Sequence, residues 1–169
     1  MSRELYDLRD QQKQDHTKDL LIVGAMGHSS SVALGIALQK PSRTVYCIDG
    51  DGAALMHLGS LATIGSNKPR NLCHILLNNG THDSVGGQKT VGFDVDFPAL
   101  AKACGYTLVL TADDEKSISS SLRKAQTTKG AVFIEIRIQS GARDDLPRPK
   151  ITPITNKKSF MNYVRDTNE

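Results

Sequence analysis

Two polar clusters, Asp49-Gly50-Asp51-Gly52 and Asn78-Asn79-Gly80, each follow an apolar run and are joined by one helix-length connection. Either alone reads as a turn, because Asp, Asn and Gly bend the backbone cheaply. Together they can form a site. A helix of about 12 residues returns roughly 18 Å along its axis, and a strand of five or six covers a similar length, so one β-α-β unit brings Asp51 and Asn79 to the same edge of a sheet. One carboxylate, one amide oxygen and a backbone carbonyl are hard donors that suit Mg²⁺, which is held by one or two carboxylates while a bound phosphate supplies further oxygens. The glycines beside Asp51 let a diphosphate approach the main chain, and the start of the following helix near Ala53 favours its charge. Read from the residues alone, this is a magnesium-diphosphate site.

The elements that must position these clusters follow from the apolar pattern. Residues 3–18 suit a surface helix, and "LLIVGAMG" (Leu20 to Gly27) reads as a short strand breaking into glycines. "SSVALGIALQK" is a helix, "RTVYCID" a strand, "ALMHLGSLATIG" a helix and "NLCHILLNN" a strand. The stretch from Gly80 to Asp96 is a long, irregular, glycine-rich loop of the kind that carries function. "FPALAKACG" is a helix with Pro98 in its first turn, "YTLVL" a strand, "DDEKSISSSLRKAQTT" a helix and "AVFIEIRI" a strand. The tail from Gln139 reads as an extended wrap ending in a short helix near Lys158 to Val164. Alternating strands and helices indicate an α/β fold, a doubly wound, mostly parallel sheet with helices on both faces. Ligands of such sheets bind beyond the carboxyl ends of the strands, where Gly24 to Ser29, Gly50 to Gly52 and Asn78 to Ser84 all fall.

At 169 residues the chain is long enough for one domain with a core, here read as 1–169 with 139–169 as the wrap. Its 21 Lys and Arg barely exceed its 18 Asp and Glu, the charges are scattered and Trp is absent, so no nucleic-acid partner is expected. No stretch approaches membrane-spanning length. Cys47, Cys73 and Cys104 lie in apolar stretches without CxxC spacing, which points to reduced core residues in a cytoplasmic protein and not to zinc.

The Gly-Asp-Gly and Asn-Asn pair at this spacing resembles the thiamine diphosphate signature of the decarboxylase superfamily. With the flanks "VGAMGHSSSVALGIALQKP", "GDGAALMHLGSLATIG", "LNNGTHDSVGGQKTVGFDVDFPALAKACGY" and "GARDDLPRPKITPITNKKSFM", nearly the whole chain is similar to the cofactor-binding carboxyl-terminal half of the phosphonopyruvate decarboxylases. The beta subunits of the sulfopyruvate decarboxylases are the second resemblance. The first implies a carboxy-lyase that converts 3-phosphonopyruvate into phosphonoacetaldehyde and carbon dioxide with thiamine diphosphate and Mg²⁺, and the second implies the sulfonate counterpart.

The resemblance also implies roles. Asp51, Asn79 and the Thr81 carbonyl take the metal. Gly24 offers its carbonyl to the aminopyrimidine, Met26 wedges between the cofactor's rings, and Ala25 and Gly27 share that segment. Gly50, Gly52, Ala53 and the loop through His82, Asp83, Ser84 and Val85 surround the diphosphate. His28 and His82 are the candidate catalytic groups, since a histidine can donate a proton or pair with an anion near neutral pH. Arg143 is a further candidate for the substrate's anion, while His57 and His74 read as packed residues of a helix and a strand.

Activation of the pyrimidine in this superfamily takes a glutamate from a pyrimidine-binding half. Glu4, Glu115, Glu135 and Glu169 are the chain's glutamates, and none sits where such a group belongs. The chain therefore reads as half an enzyme, either a piece of a longer polypeptide or one subunit of two, inactive without its partner and part of an oligomer. Lys89 stands where the resemblance leads one to expect proline. A non-catalytic, flavodoxin-like ligand-binding module is the reading from a different class. It would use the same strand ends without needing Asp51 and Asn79 to share a metal.

Overall fold

The computed structural model describes residues 1–166, which form two compact units, one of Gly27–Gly141 and one that combines Met1–Met26 with the residues from Ala142 onward.

In the larger unit four parallel strands, β1 (Val45–Gly50), β2 (Leu72–Asn78), β5 (Leu108–Ala112) and β6 (Val132–Arg137), lie in the order β1-β2-β6-β5. Each strand is apolar on both faces, as a sheet covered on both sides requires. Helices α2 (Ser29–Gln39), α4 (Ser60–Asn67) and α5 (Phe97–Cys104) pack on one face around Leu34, Leu61, Ile64, Phe97, Leu76 and Phe133. Helix α6 (Glu115–Thr127) covers the other over β5 and β6, against Ile75, Ile134 and Ile136, and leaves Tyr46 and Ile48 of β1 exposed. The two-sided cover follows from chain direction. The connection from β1 steps outward to β2 and the one from β5 steps back to β6, so right-handed crossovers must fall on opposite faces. The reversal lies between β2 and β6, whose carboxyl ends meet where Asn78 faces Arg137.

Local chemistry sets most boundaries. Asp114 caps α6 by accepting the Ser117 amide at 2.7 Å, and the Ser117 hydroxyl reaches back to the cap, closing a capping box. Asp114→Ala should lower Tm by about 2–4 °C in a thermal melt, leaving the strand-tip site untouched. Helix α5 opens with Asp96 accepting the Ala99 amide and closes at Gly105, whose φ of 98° no other residue adopts freely.

Several expectations are corrected. The surface helix expected over residues 3–18 spans only Ser2–Gln11. The segment Leu20 to Gly27 is not a strand, because the Leu21 amide is taken by the Asn156 side chain at 2.9 Å instead of a neighbouring strand. The helix expected over "ALMHLGSLATIG" is two, α3 (Asp51–Met56) and α4, broken at His57 to Gly59. The loop from Gly80 holds a small antiparallel hairpin of β3 (Thr81–His82) and β4 (Gln88–Lys89) around a 3₁₀ turn at Asp83–Val85.

The smaller unit contains α1 (Ser2–Gln11) and α7 (Pro153–Asp166). The helix near the end is thus longer than expected, and Thr152 ahead of Pro153 was its signal: the threonine hydroxyl accepts the Thr155 amide, as a cap before a first-turn proline does. Asn156, 2 % exposed, ties the unit together by donating to the Asp19 carbonyl at 2.8 Å while accepting from Leu21. Among the described residues no helix is long and apolar enough to cross a membrane.

Candidate functional site

β1 ends at Gly50 and α3 starts at the next residue, so Asp51 is fixed at the carboxyl edge of the sheet with 1 % of its surface exposed. Gly50 is in register with Leu77 of β2, which carries Asn79 to the same edge. The Asn79 amide stands 3.5 Å from Asp51 Oδ1. The other carboxylate oxygen accepts the Thr90 hydroxyl, and Gly92 lies against it so closely that a Cβ there would also fall 2.7 Å from Asn78 Oδ1. Among the described residues no ion pair includes Asp51. A carboxylate buried without a cation is costly, so the donor set here fits a cation.

The hairpin orients the second donor. Asn79 Nδ2 donates to Asp83 Oδ2 at 2.7 Å, which turns Asn79 Oδ1 toward Thr81, whose amide it accepts at 3.0 Å. Asp83 is held below the usual carboxylate range first by the Thr81 hydroxyl and next by the Gly141 amide. Asp51, Asn79 and Thr81, expected from sequence as metal donors, are therefore joined through a few hydrogen bonds at one strand edge.

At two glycines the protein packs so closely that a Cβ has no room. A Cβ on Gly52 would come well inside 3.0 Å of the His82 ring, and His82 Nδ1 is buried without a hydrogen-bond partner. Gly27, with φ of 88°, sits where a Cβ would fall 2.8 Å from the Ala53 carbonyl and press on the His57 ring. The structure thus joins Gly52 to His82 and Gly27 to Ala53. Ser84 and Val85 are exposed in the 3₁₀ turn. Gly24, Ala25 and Met26 close the first segment of the smaller unit.

The histidines sort differently from the expectation. His57 is not a packed helix residue: it is exposed in the break after α3, with its ring 4.1 Å from that of His28, because the helix ends one residue before it. Arg143 belongs to the smaller unit, where it pairs with Asp7 and approaches Glu4 at 4.0 Å and Asp145 at 3.9 Å, a surface ion-pair group. Sequence reasoning also missed Thr90 and Gly92. Their spacing from Asp51 carries no local signal, and only the return of the hairpin brings them to it.

Residues 3–136 match the family of the thiamine pyrophosphate enzyme, C-terminal TPP binding domain. The chain is 45% identical over 163 residues to the phosphonopyruvate decarboxylase of Streptomyces viridochromogenes, covering 96% of this chain and 40% of that protein. It is 35% identical to the sulfopyruvate decarboxylase subunit beta of Methanothermobacter thermautotrophicus, covering 85% of this chain and 71% of the subunit. The thiamine diphosphate-dependent 4-hydroxybenzoylformate decarboxylase of Rhodococcus jostii superposes on 70% or less of the chain: 69% of this chain and 24% of that one, with a TM-score of 0.59 at 23% identity, a likeness of fold. The chain spans about 40% of the length of the phosphonopyruvate decarboxylases it matches. With residues 3–136 under that family model, the chain belongs to the thiamine pyrophosphate enzymes as a C-terminal TPP-binding domain.

Proposed function

We propose that the chain is the cofactor-binding half of a thiamine diphosphate- and Mg²⁺-dependent 2-oxo acid decarboxylase, and that its substrate is 3-phosphonopyruvate. The observation that carries the reading is the buried Asp51 carboxylate, which has no cationic side chain beside it among the described residues and lies 3.5 Å from the Asn79 backbone amide. Asp51, the Asn79 side-chain oxygen and the Thr81 carbonyl would hold Mg²⁺. Gly50, Gly52, Ala53 and the turn from His82 to Val85 would receive the diphosphate, with the unpartnered His82 Nδ1 as a donor beside Gly52. Gly24, Ala25, Met26 and Gly27 would face the aminopyrimidine. When bound, the cofactor supplies a nucleophilic carbon and a sink for the electron pair that carbon dioxide leaves behind. The chain's own work is to hold charge, orient and donate hydrogen bonds. His28 and its neighbour His57, both exposed, offer ring N–H groups to the substrate's phosphonate.

The half-enzyme reading draws support from the glutamates. Glu135 is buried in β6 and accepts a hydrogen bond from Asn78 at 2.7 Å, Glu115 begins α6, Glu4 lies on α1, and Glu169 lies outside the described residues. A pyrimidine-binding domain or subunit would supply the activating glutamate in an oligomer. The cysteines described are free thiols, in keeping with a cytoplasmic setting.

The test is carbon dioxide release after the pyrimidine-binding half of a related decarboxylase is added. Release from 3-phosphonopyruvate should exceed that from sulfopyruvate by about tenfold or more, a difference of about 1.4 kcal/mol in transition-state binding. The reverse order would assign the sulfonate substrate instead. Rapid turnover by the chain with no partner would overturn the half-enzyme reading.

A further inference from the structure

Beneath the tip of β1, a second cluster faces the α2 side of the sheet. Cys47 is opposite His74 in the register of β1 and β2, and Asp49 projects from the same face of β1 two residues on. All three are buried, with exposures of 4%, 2% and 1% for Cys47, Asp49 and His74. One ligand atom from each, the thiol sulfur, a carboxylate oxygen and an imidazole nitrogen, lies within 4.8 Å of the other two. Asp49 Oδ2 and His74 Nε2 are 3.7 Å apart, too far for a hydrogen bond, and neither atom has a hydrogen-bond partner among the described residues. Buried polar atoms in native proteins nearly always have one, so two facing each other without it need an explanation.

The spacing supplies one. Oxygen and nitrogen donors about 2.0–2.2 Å from a tetrahedral centre stand about 3.3–3.5 Å from each other, so the 3.7 Å pair needs to draw in by only a few tenths of an ångström, with the Cys47 sulfur within 4.8 Å of both. The imidazole is also held as a metal ligand is held. Its far nitrogen, Nδ1, is 3.1 Å from the hydroxyl of buried Tyr106, and its ring meets Phe133 edge-on at 5.3 Å, leaving Nε2 toward Asp49. Charge agrees. A thiolate and a carboxylate cancel a divalent cation, so the filled site is neutral and its burial is tolerable. Sulfur and imidazole nitrogen select a softer ion than the all-oxygen set at Asp51, Asn79 and Thr81 does.

We propose that Cys47, Asp49 and His74 form a buried site for a tetrahedrally coordinating divalent cation of the zinc type, which pins β1 to β2 beneath the Gly50-Asp51 tip. Three protein donors leave one position for water. Without the ion, burial first and Asp49 next push the Cys47 thiol up to about 12, which keeps it protonated. The site is closed to solvent, so the ion enters as the strands assemble. The absence of CxxC spacing argued against zinc, but here the donors come from two strands and only one is a cysteine.

The experiment is to refold the full chain with one equivalent of Zn²⁺ or Co²⁺ and a large excess of Mg²⁺, remove unbound metal by gel filtration, and measure metal by mass spectrometry. The expected result is about one zinc per chain in wild type and in Asp51→Asn, with none in Cys47→Ser. The cobalt form of wild type should show a thiolate-to-cobalt charge-transfer band, which does not depend on any variant folding. Wild type that retains no zinc, or binds cobalt without that band, overturns the proposal. So does zinc lost in Asp51→Asn, which would place it at the magnesium site, or zinc retained in Cys47→Ser.

Discussion

Asp51→Asn should keep the fold and lose magnesium-dependent binding of thiamine diphosphate. The Asp51 carboxylate is 1% exposed, receives the Thr90 hydroxyl and the Asn79 amide, and has no ion-pair partner among the described residues. An amide of the same shape retains an oxygen for one of those donors and removes a buried, uncompensated charge, so the metal-free chain should be as stable as wild type or more so. The bound state responds the other way. Losing the charged member of a buried pair costs about 3–5 kcal/mol, so affinity for Mg²⁺ with the cofactor should fall by about 10²-fold or more. Thermal melts check both halves: wild type should gain Tm only when Mg²⁺ and thiamine diphosphate are present together, and Asp51→Asn should gain none at the same concentrations. An unchanged cofactor-induced shift would remove Asp51 from the site and favour the non-catalytic binding module.

Gly65→Ala should cost about 3 kcal/mol or more, the upper range for overpacking a core. Gly65 lies on α4 where it crosses α5, and a Cβ there would sit 2.5 Å from the Cys104 carbonyl carbon and closer still to its oxygen. That obstacle is main chain, so no side-chain rotation relieves it. Helix α4 must back away from α5, opening the packing of Leu61, Ile64, Phe97 and Ala101, which are 2% exposed or less. Domains carry about 5–15 kcal/mol in total, so the loss is a large fraction of the reserve. Urea denaturation should show it as a lower midpoint with little change in slope. Gly35→Ala is the control: Gly35 is exposed inside α2 with nothing within 4 Å of its missing Cβ, and this change should stabilise by about 0.5–1 kcal/mol. Equal effects from the two would mean that backbone entropy decides and the α4–α5 crossing does not.

What was readable in the chain was what local pattern controls. The strand and helix alternation, the first-turn Pro98 of α5 and the pairing of Asp51 with Asn79 each depend on one element or one β-α-β unit, where chain length alone leaves few geometries. Segments stabilised from far away were misread. Leu20 to Gly27 is apolar enough for a strand, but its Leu21 amide is held by Asn156, 135 positions on. The helix expected over residues 54–65 has apolar residues along its whole length, yet it breaks at His57, and the exposed imidazole then meets His28.

The sequence by itself therefore determined the sheet class and the two neighbouring strand tips that carry Asp51 and Asn79, because alternation and connection length act within short stretches. Only the tertiary structure decided that Thr90 and Gly92 close over Asp51, that His82 lies against Gly52, and that Cys47 faces His74 beside Asp49. Alternation tells which face of its own strand a side chain occupies. The partner across the sheet is set by register between strands, and register emerges only when the whole core packs.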